Sequence, residues 1–172
     1  VVVGVAGYFG ERLTEMCRRY GAEVATIEAP WGEVISPAQV EQALIEHSPV
    51  RLVGLVHAET STGARQPIPE IAAHGALLLV DTVTSLGGCE VKVDEWNIDI
   101  CYSGSQKCLG APPGLAPLTV GERALGSLQE RRGKVPSFYL DLGLLQSYWS
   151  STPSYHHTAS SSMIYALREA LR

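Results

Sequence analysis

The sequence is poor in the features that build metal centres, disulfide frameworks and membrane spans. Its four cysteines form no C-x-x-C pair and it has only five histidines, so we predict no metal site and interpret the cysteines as reduced thiols. No apolar stretch approaches the roughly 20 residues that a membrane-spanning helix requires. The longest clean apolar runs are Val1–Val3 and Leu77–Val80. A formal net charge of −5 disfavours nucleic acid and anionic membranes as partners.

The composition is that of one globular domain with a substantial core. The chain has 172 residues, of which 45% are hydrophobic and 18% are charged. It starts on an apolar run without a methionine and ends within the helical pattern Met163–Arg172, which carries no stop signal. We therefore interpret it as the middle of a longer polypeptide.

Short apolar runs alternate with helical patterns, which predicts an α/β fold with a mostly parallel sheet flanked by helices. The predicted strands are Val1–Val5, Glu23–Ala29, Arg51–Val56, Leu77–Asp81, Ile100–Ser103 and Leu115–Val120. Apolar residues at helical spacing predict a helix from Leu13 to Tyr20 that ends at Gly21. Further helices are predicted after Ser36-Pro37, near Pro69–His74, at Asp141–Trp149 and at Ser161–Arg172, and a polar loop at His57–Gln66.

Two of the predicted strands end on a charged residue or lead into a loop that carries one. The run Leu77–Val80 stops on Asp81, and the strand near Ser103 leads into a loop of small residues that carries Lys107. Because ligands of open α/β sheets lie outside the carboxyl ends of the strands, we expect these two side chains to share a crevice. The hydroxyls and backbone amides of the Ser103–Gln106 loop are suited to a phosphate.

These two residue types also have ordinary roles. Most lysines are solvated surface charges, and most aspartates cap helices or form surface ion pairs. A carboxylate that follows four buried aliphatic residues, however, needs a cationic or hydrogen-bonding partner. An aspartate that pairs with a pyridinium nitrogen, beside a lysine that forms a Schiff base, is the protein half of a pyridoxal 5′-phosphate (PLP) site. We therefore predict such a site at Asp81 and Lys107.

Three separated motifs carry a more specific resemblance. They are Leu78–Gly88, Ser103–Lys107 and Tyr155–Thr158. In this order they resemble the signatures of the class V aminotransferases, and most closely the alanine–glyoxylate and serine–pyruvate aminotransferase group. The resemblance covers essentially the whole chain, and it implies the large domain of a fold-type I PLP-dependent transferase.

The resemblance also implies roles for individual residues. Lys107 would form the Schiff base with PLP and carry the proton during catalysis, and Asp81 would hold the pyridinium nitrogen. The other implied cofactor contacts are Val83 and Phe9 on the two ring faces, Thr60 near the phenolic oxygen, and Gln106 at the phosphate. Phe9 stands where relatives often carry tryptophan, and without the resemblance we would assign it to the core.

The implied enzyme is a homodimer, in which Tyr155 and Thr158 reach the cofactor of the neighbouring subunit. Its reaction is transamination from alanine or serine to glyoxylate or pyruvate, so its partners are amino acids and 2-oxo acids. Residues 1–172 would be a partial large PLP-binding domain, without the N-terminal segment and the C-terminal small domain. The arginine that binds the substrate carboxylate would follow Arg172.

Two other functions stay open from the sequence. One is a PLP-dependent lyase or desulfurase of the same superfamily, for which Cys108 is poorly placed because it directly follows the lysine. The other is a non-catalytic domain that has kept the fold. We expect a soluble intracellular protein, in the cytoplasm, a peroxisome or a mitochondrion, depending on the missing termini.

Overall fold

A six-stranded sheet organises the computed structural model, which describes residues 1–172. Its strands are β1 (Val2–Val5), β2 (Ala25–Glu28), β3 (Leu52–Val56), β6 (Leu77–Asp81), β7 (Ile100–Tyr102) and β8 (Leu118–Val120). Two short strands, β4 (Ala58–Glu59) and β5 (Ala64–Arg65), form a separate antiparallel hairpin. The helices are α1 (Tyr8–Arg19), α2 (Pro37–Glu46), α3 (Glu122–Gln129), α4 (Leu142–Tyr148) and α5 (Ser161–Ala170).

The strand order of the sheet is β2-β1-β3-β6-β7-β8. All neighbouring strands are parallel except β8, which pairs antiparallel with β7. Strands β6 and β7 run in a register that places Asp81 directly beside Tyr102. The carboxyl ends of the parallel strands therefore lie at one edge of the sheet, as the predicted α/β architecture requires.

The core lies on the central strands. A cluster of 14 buried apolar residues extends from Val2 to Cys101, and Val53, Leu55, Leu78 and Val80 at its centre are at most 2% exposed. Strands that are covered on both faces tolerate continuous apolar sequences, which is why these runs are recognisable without alternation. None of the helices is both long and apolar enough to cross a membrane.

Local sequence signals set the ends of the first two helices. Ser36 and Gln39 form a reciprocal capping box at the start of α2, with Pro37 at its first position. Gly21 follows α1 with a φ of 83°, a conformation that glycine adopts without steric cost. Both predicted boundaries are confirmed.

Five details differ from the predicted elements. Helix α1 begins at Tyr8, five residues before the predicted start at Leu13. The polar loop His57–Gln66 contains the β4-β5 hairpin, and the helix expected near Pro69–His74 is a single 3₁₀ turn at Ile68–Glu70. Helix α3 was not predicted. The last strand begins at Leu118 rather than Leu115, because Pro117 has no N–H to donate to the ladder. Its carbonyl still accepts a hydrogen bond from the Ser103 amide at 2.9 Å.

Candidate active site

A cavity of about 470 Å³ lies at the carboxyl ends of β6 and β7, within the size range of small-molecule sites. Both Asp81 and Lys107 line it, so the crevice predicted for this pair is present. Phe9, Val83 and Gln106 line the same cavity. The structure thus brings together five of the predicted site residues, which come from α1, from the end of β6 and from the loop after β7.

Two hydrogen bonds fix the carboxylate of Asp81. Its Oδ1 accepts the backbone N–H of Val83 at 2.8 Å, and its Oδ2 accepts the hydroxyl of Tyr102 at 2.7 Å. Burial raises the pKa of Asp81, and these two hydrogen bonds oppose that rise. The need for hydrogen-bonding partners was predicted, but Tyr102 was missed. Its place at the end of the adjacent predicted strand was the available signal.

The loop that carries Lys107 is held by its own serines. The hydroxyl of Ser103 donates to the carbonyl of Thr82 at 3.2 Å, and that of Ser105 donates to the carbonyl of Pro112 at 2.6 Å. Both serines are buried, so these hydroxyls stabilise the loop instead of facing a phosphate as expected. The side chains of Gln106 and Lys107 are left exposed at the cavity.

The lack of a side chain at Gly104 makes room for the amide of Gln106. A Cβ atom at this position would lie 2.9 Å from Oε1 of Gln106 and 3.5 Å from Cγ1 of Val83. The Gln106 amide therefore folds back over the glycine, next to a residue that lines the predicted cofactor site.

A buried carboxylate holds the backbone of Phe9, which also lines the cavity. Oε2 of Glu59 accepts the amides of Phe9 at 3.0 Å and of Gly10 at 3.1 Å, and Oε1 accepts both the amide and the hydroxyl of Ser61. Glu59 is 2% exposed and satisfies free N–H groups at the start of α1. The guanidinium of Arg12 lies 5.4 Å from the Phe9 ring centroid. Glu59 was missed, because its partners are about 50 residues away in the sequence.

Three predicted residues lie outside this cavity. Thr60 is exposed in the hairpin turn next to Glu59. Tyr155 is 77% exposed, and its hydroxyl lies 3.1 Å from the hydroxyl of Thr158. That pair belongs to the loop between α4 and α5, where His156 is buried and stacks on Phe138. Their implied contacts with cofactor stay predictions.

Known proteins resemble this chain in sequence and in fold. The profile of the aminotransferase class-V family matches residues 1–172. The chain is 40% identical to the (S)-ureidoglycine–glyoxylate transaminase of Bacillus subtilis and 42% identical to the alanine–glyoxylate aminotransferase of Drosophila melanogaster. These alignments cover 100% and 99% of the chain but 46% and 45% of the relatives.

Among solved structures, the alanine–glyoxylate aminotransferase of Nostoc sp. superimposes with a TM-score of 0.94 at 55% identity. That superposition covers 99% of this chain and 46% of the Nostoc chain, so the chain spans about half the length of the relatives it matches. The predicted fold, a partial large domain with a mostly parallel sheet flanked by helices, is confirmed. Sequence and structure together show that the chain belongs to the class-V aminotransferase family.

Proposed function

We propose that the chain supplies the cofactor-binding part of a PLP-dependent aminotransferase, which transfers an amino group from alanine or serine to glyoxylate or pyruvate. The observation that carries this proposal is the presence of Asp81 and Lys107 at one cavity, in a chain of the class-V family. Glyoxylate occurs in the names of both the Bacillus and the Drosophila relatives, which supports it as the acceptor.

The side chains at the cavity fit the parts of PLP. Phe9 and Val83 offer apolar surfaces for the two faces of an aromatic ring, and Asp81 offers a carboxylate to a protonated ring nitrogen. Gln106 offers an amide to the phosphate, and the ε-amine of Lys107 would hold the cofactor covalently as a Schiff base. When bound, PLP withdraws electrons from the α-carbon of the amino acid.

Proton transfer would be the main task of the protein's own groups. With PLP bound, the ε-amine of Lys107 would be placed to remove the proton from the α-carbon of the amino acid and to hold it during the transfer. The side chain of Lys107 is exposed at the cavity, as this task requires. Asp81, which is held in place by Val83 and Tyr102, would pair with the ring nitrogen and favour its protonated form.

The remaining predicted contacts need parts that the cavity of one chain does not contain. We propose a homodimer in which the exposed Tyr155–Thr158 pair of one subunit reaches the phosphate of the other subunit's cofactor. Thr60 would approach the phenolic oxygen from the hairpin turn, whose position Glu59 fixes through Ser61. We also propose that these residues form part of a large domain, to which a small domain adds the arginine for the substrate carboxylate.

The test is an amine-donor and oxo-acid matrix on the intact protein that contains this chain. We expect transamination with alanine or serine as donor and with glyoxylate or pyruvate as acceptor, together with the absorbance of bound PLP. Lys107→Ala should abolish turnover, because no other lysine lines the cavity. Lys134→Ala, which removes an exposed lysine away from the cavity, is the matched control and should leave turnover unchanged.

Three results would contradict the proposal in distinguishable ways. Full activity of Lys107→Ala would remove the assigned role of this lysine. Sulfide release from cysteine without transamination would indicate the lyase, although the thiol of Cys108 is hydrogen-bonded to the carbonyl of Thr84 at 2.9 Å. Failure of the intact protein to bind PLP would indicate a non-catalytic domain.

A further inference from the structure

Tyr102 occupies a position that the family resemblance did not assign. It is the last residue of β7, in register with Asp81 at the end of β6, so the two side chains project from the same face of the sheet. The phenol donates its only hydrogen bond to Oδ2 of Asp81 at 2.7 Å. Tyr102 lines the same cavity as Asp81 and Lys107.

The direction of this hydrogen bond is well defined. Burial and the neighbouring Asp81 carboxylate both raise the pKa of Tyr102, so its hydroxyl stays protonated and acts as the donor. Burial also raises the pKa of Asp81, and the hydrogen bond from Tyr102 opposes that rise. The hydroxyl therefore favours the ionised form of the carboxylate.

Other charges near Asp81 do not replace this bond. Glu59, from the hairpin, raises the pKa of Asp81, and Arg12, from α1, lowers it only at longer range. Asp81 forms no salt bridge with Arg12 or Lys107. Besides Tyr102, only the backbone N–H of Val83 donates to it. Without the phenol, a carboxylate with a broad terminal torsion would keep a single hydrogen bond.

We propose that Tyr102 is a positioning residue that orients Asp81 and lowers its proton affinity, so that the proton shared with the cofactor's ring nitrogen stays on the nitrogen. This inference rests on the proposed function, because it assigns Asp81 to the ring nitrogen of PLP. A more basic carboxylate would take that proton and leave the ring nitrogen neutral. The ring would then withdraw electrons less strongly.

The decisive variant is Tyr102→Phe in the intact protein, which removes the hydroxyl and keeps the ring. We expect the PLP dissociation constant, measured by equilibrium dialysis, to rise about tenfold, because the carboxylate that would face the ring nitrogen is then held by one hydrogen bond instead of two. With ¹⁵N-labelled PLP, the NMR shift of the ring nitrogen should move towards that of the neutral form. Tyr20→Phe, which alters an exposed tyrosine after α1, should change neither value.

Two further variants separate positioning from a general loss of structure. In an Asp81→Asn background, Tyr102→Phe should change the dissociation constant less than twofold, because the group on which it acts is gone. Replacement of Tyr102 by 3-fluorotyrosine keeps the ring and gives a more acidic hydroxyl. At a pH where the wild-type ring nitrogen is partly neutral, its ¹⁵N shift should then move further towards the protonated form. An unchanged shift would overturn the positioning role, and this test holds even if Tyr102→Phe fails to fold.

The outcomes also separate this inference from the proposed function. If the wild type binds PLP and Tyr102→Phe keeps the wild-type dissociation constant and ¹⁵N shift, the positioning role is wrong and the proposed function stands. An equal loss of affinity on Tyr102→Phe with Asp81 present or replaced by Asn would also overturn it. If the wild type does not bind PLP, the proposed function and this inference fail together.

Discussion

The first 120 residues and the last 52 use their apolar side chains in opposite ways. Of the 35 buried residues, only Ala124 and His156 lie after residue 120. That segment nevertheless provides nine of the 16 exposed large hydrophobic side chains, among them Phe138 and Trp149. Helices α4 and α5 contain no buried residue. The sheet region is therefore stabilised by its own core, whereas the C-terminal segment gains little free energy from burial within this chain.

The largest expected difference in the free energy of unfolding comes from the same leucine-to-alanine substitution made in each region. Leu78→Ala removes a side chain that is 2% exposed at the centre of the sheet, and it should lower the free energy of unfolding by about 2–5 kcal/mol. Leu140→Ala, at a position that is 57% exposed, should change it by less than about 0.5 kcal/mol. Urea unfolding followed by circular dichroism measures both values. Equal losses would refute the contrast between the regions.

A second pair of variants, Gly10→Ala and Gly126→Ala, should change the free energy of unfolding in opposite directions. A Cβ atom on Gly10 would lie 2.8 Å from the carbonyl oxygen of Gly4 and from Cα of Val5, so Gly10→Ala forces α1 away from β1. We expect a loss of about 1–3 kcal/mol in the free energy of unfolding. Gly126→Ala meets no atom within 4 Å in α3 and should stabilise the chain by about 0.5–1 kcal/mol. A destabilising Gly126→Ala would show that α3 is packed more tightly than described.

The smallest effect we predict depends on pH. Burial raises the pKa of Asp81 above its ordinary value of 3.8, so the native state binds this proton more tightly than the unfolded state. The resulting stability is fully present below pH 3.8 and is lost as the pH rises through the native pKa. In the absence of cofactor, Asp81→Asn should therefore raise the free energy of unfolding at neutral pH.

That gain should disappear below pH 3.8, where Asp81 is protonated in both states. The matched variant in the C-terminal segment is Asp141→Asn, at the N-cap of α4. It should leave stability nearly unchanged at neutral pH, because asparagine caps a helix about as well as aspartate. Urea unfolding at several pH values compares the two variants. A stability gain for Asp81→Asn that persists below pH 3.8 would contradict the assigned ionisation.

The central strands of the sheet were predictable from the sequence because their residues are buried or half-buried on both faces. Runs such as Leu77–Val80 are continuous and apolar. They therefore predict both the strand and the position of the carboxylate at its end. The hairpin was missed because strands of two residues are too short to show a period. Helix α3 was missed because a single buried residue, Ala124, sets its orientation.

The residues of the candidate site also divide into those that the sequence predicted and those that it did not. Asp81 and Lys107 were recognisable because Asp81 ends one strand and Lys107 lies in the loop after the next, and strand ends determine where a side chain lies. Tyr102 and Glu59 were not, because their role depends on which strand or helix lies beside them. Thr60, Tyr155 and Thr158 are exposed and do not line the cavity that contains Asp81 and Lys107.

The carboxylate of Glu59 has a consequence for any attempt to redesign this pocket. One of its oxygens binds the helix start that carries Phe9, and the other binds Ser61, the residue after Thr60. A substitution that shifts the hairpin will therefore displace the aromatic wall as well, although more than 50 positions separate them in the chain. Libraries that vary Phe9 or Thr60 should keep this glutamate constant, because otherwise the effects of the two positions will be confounded.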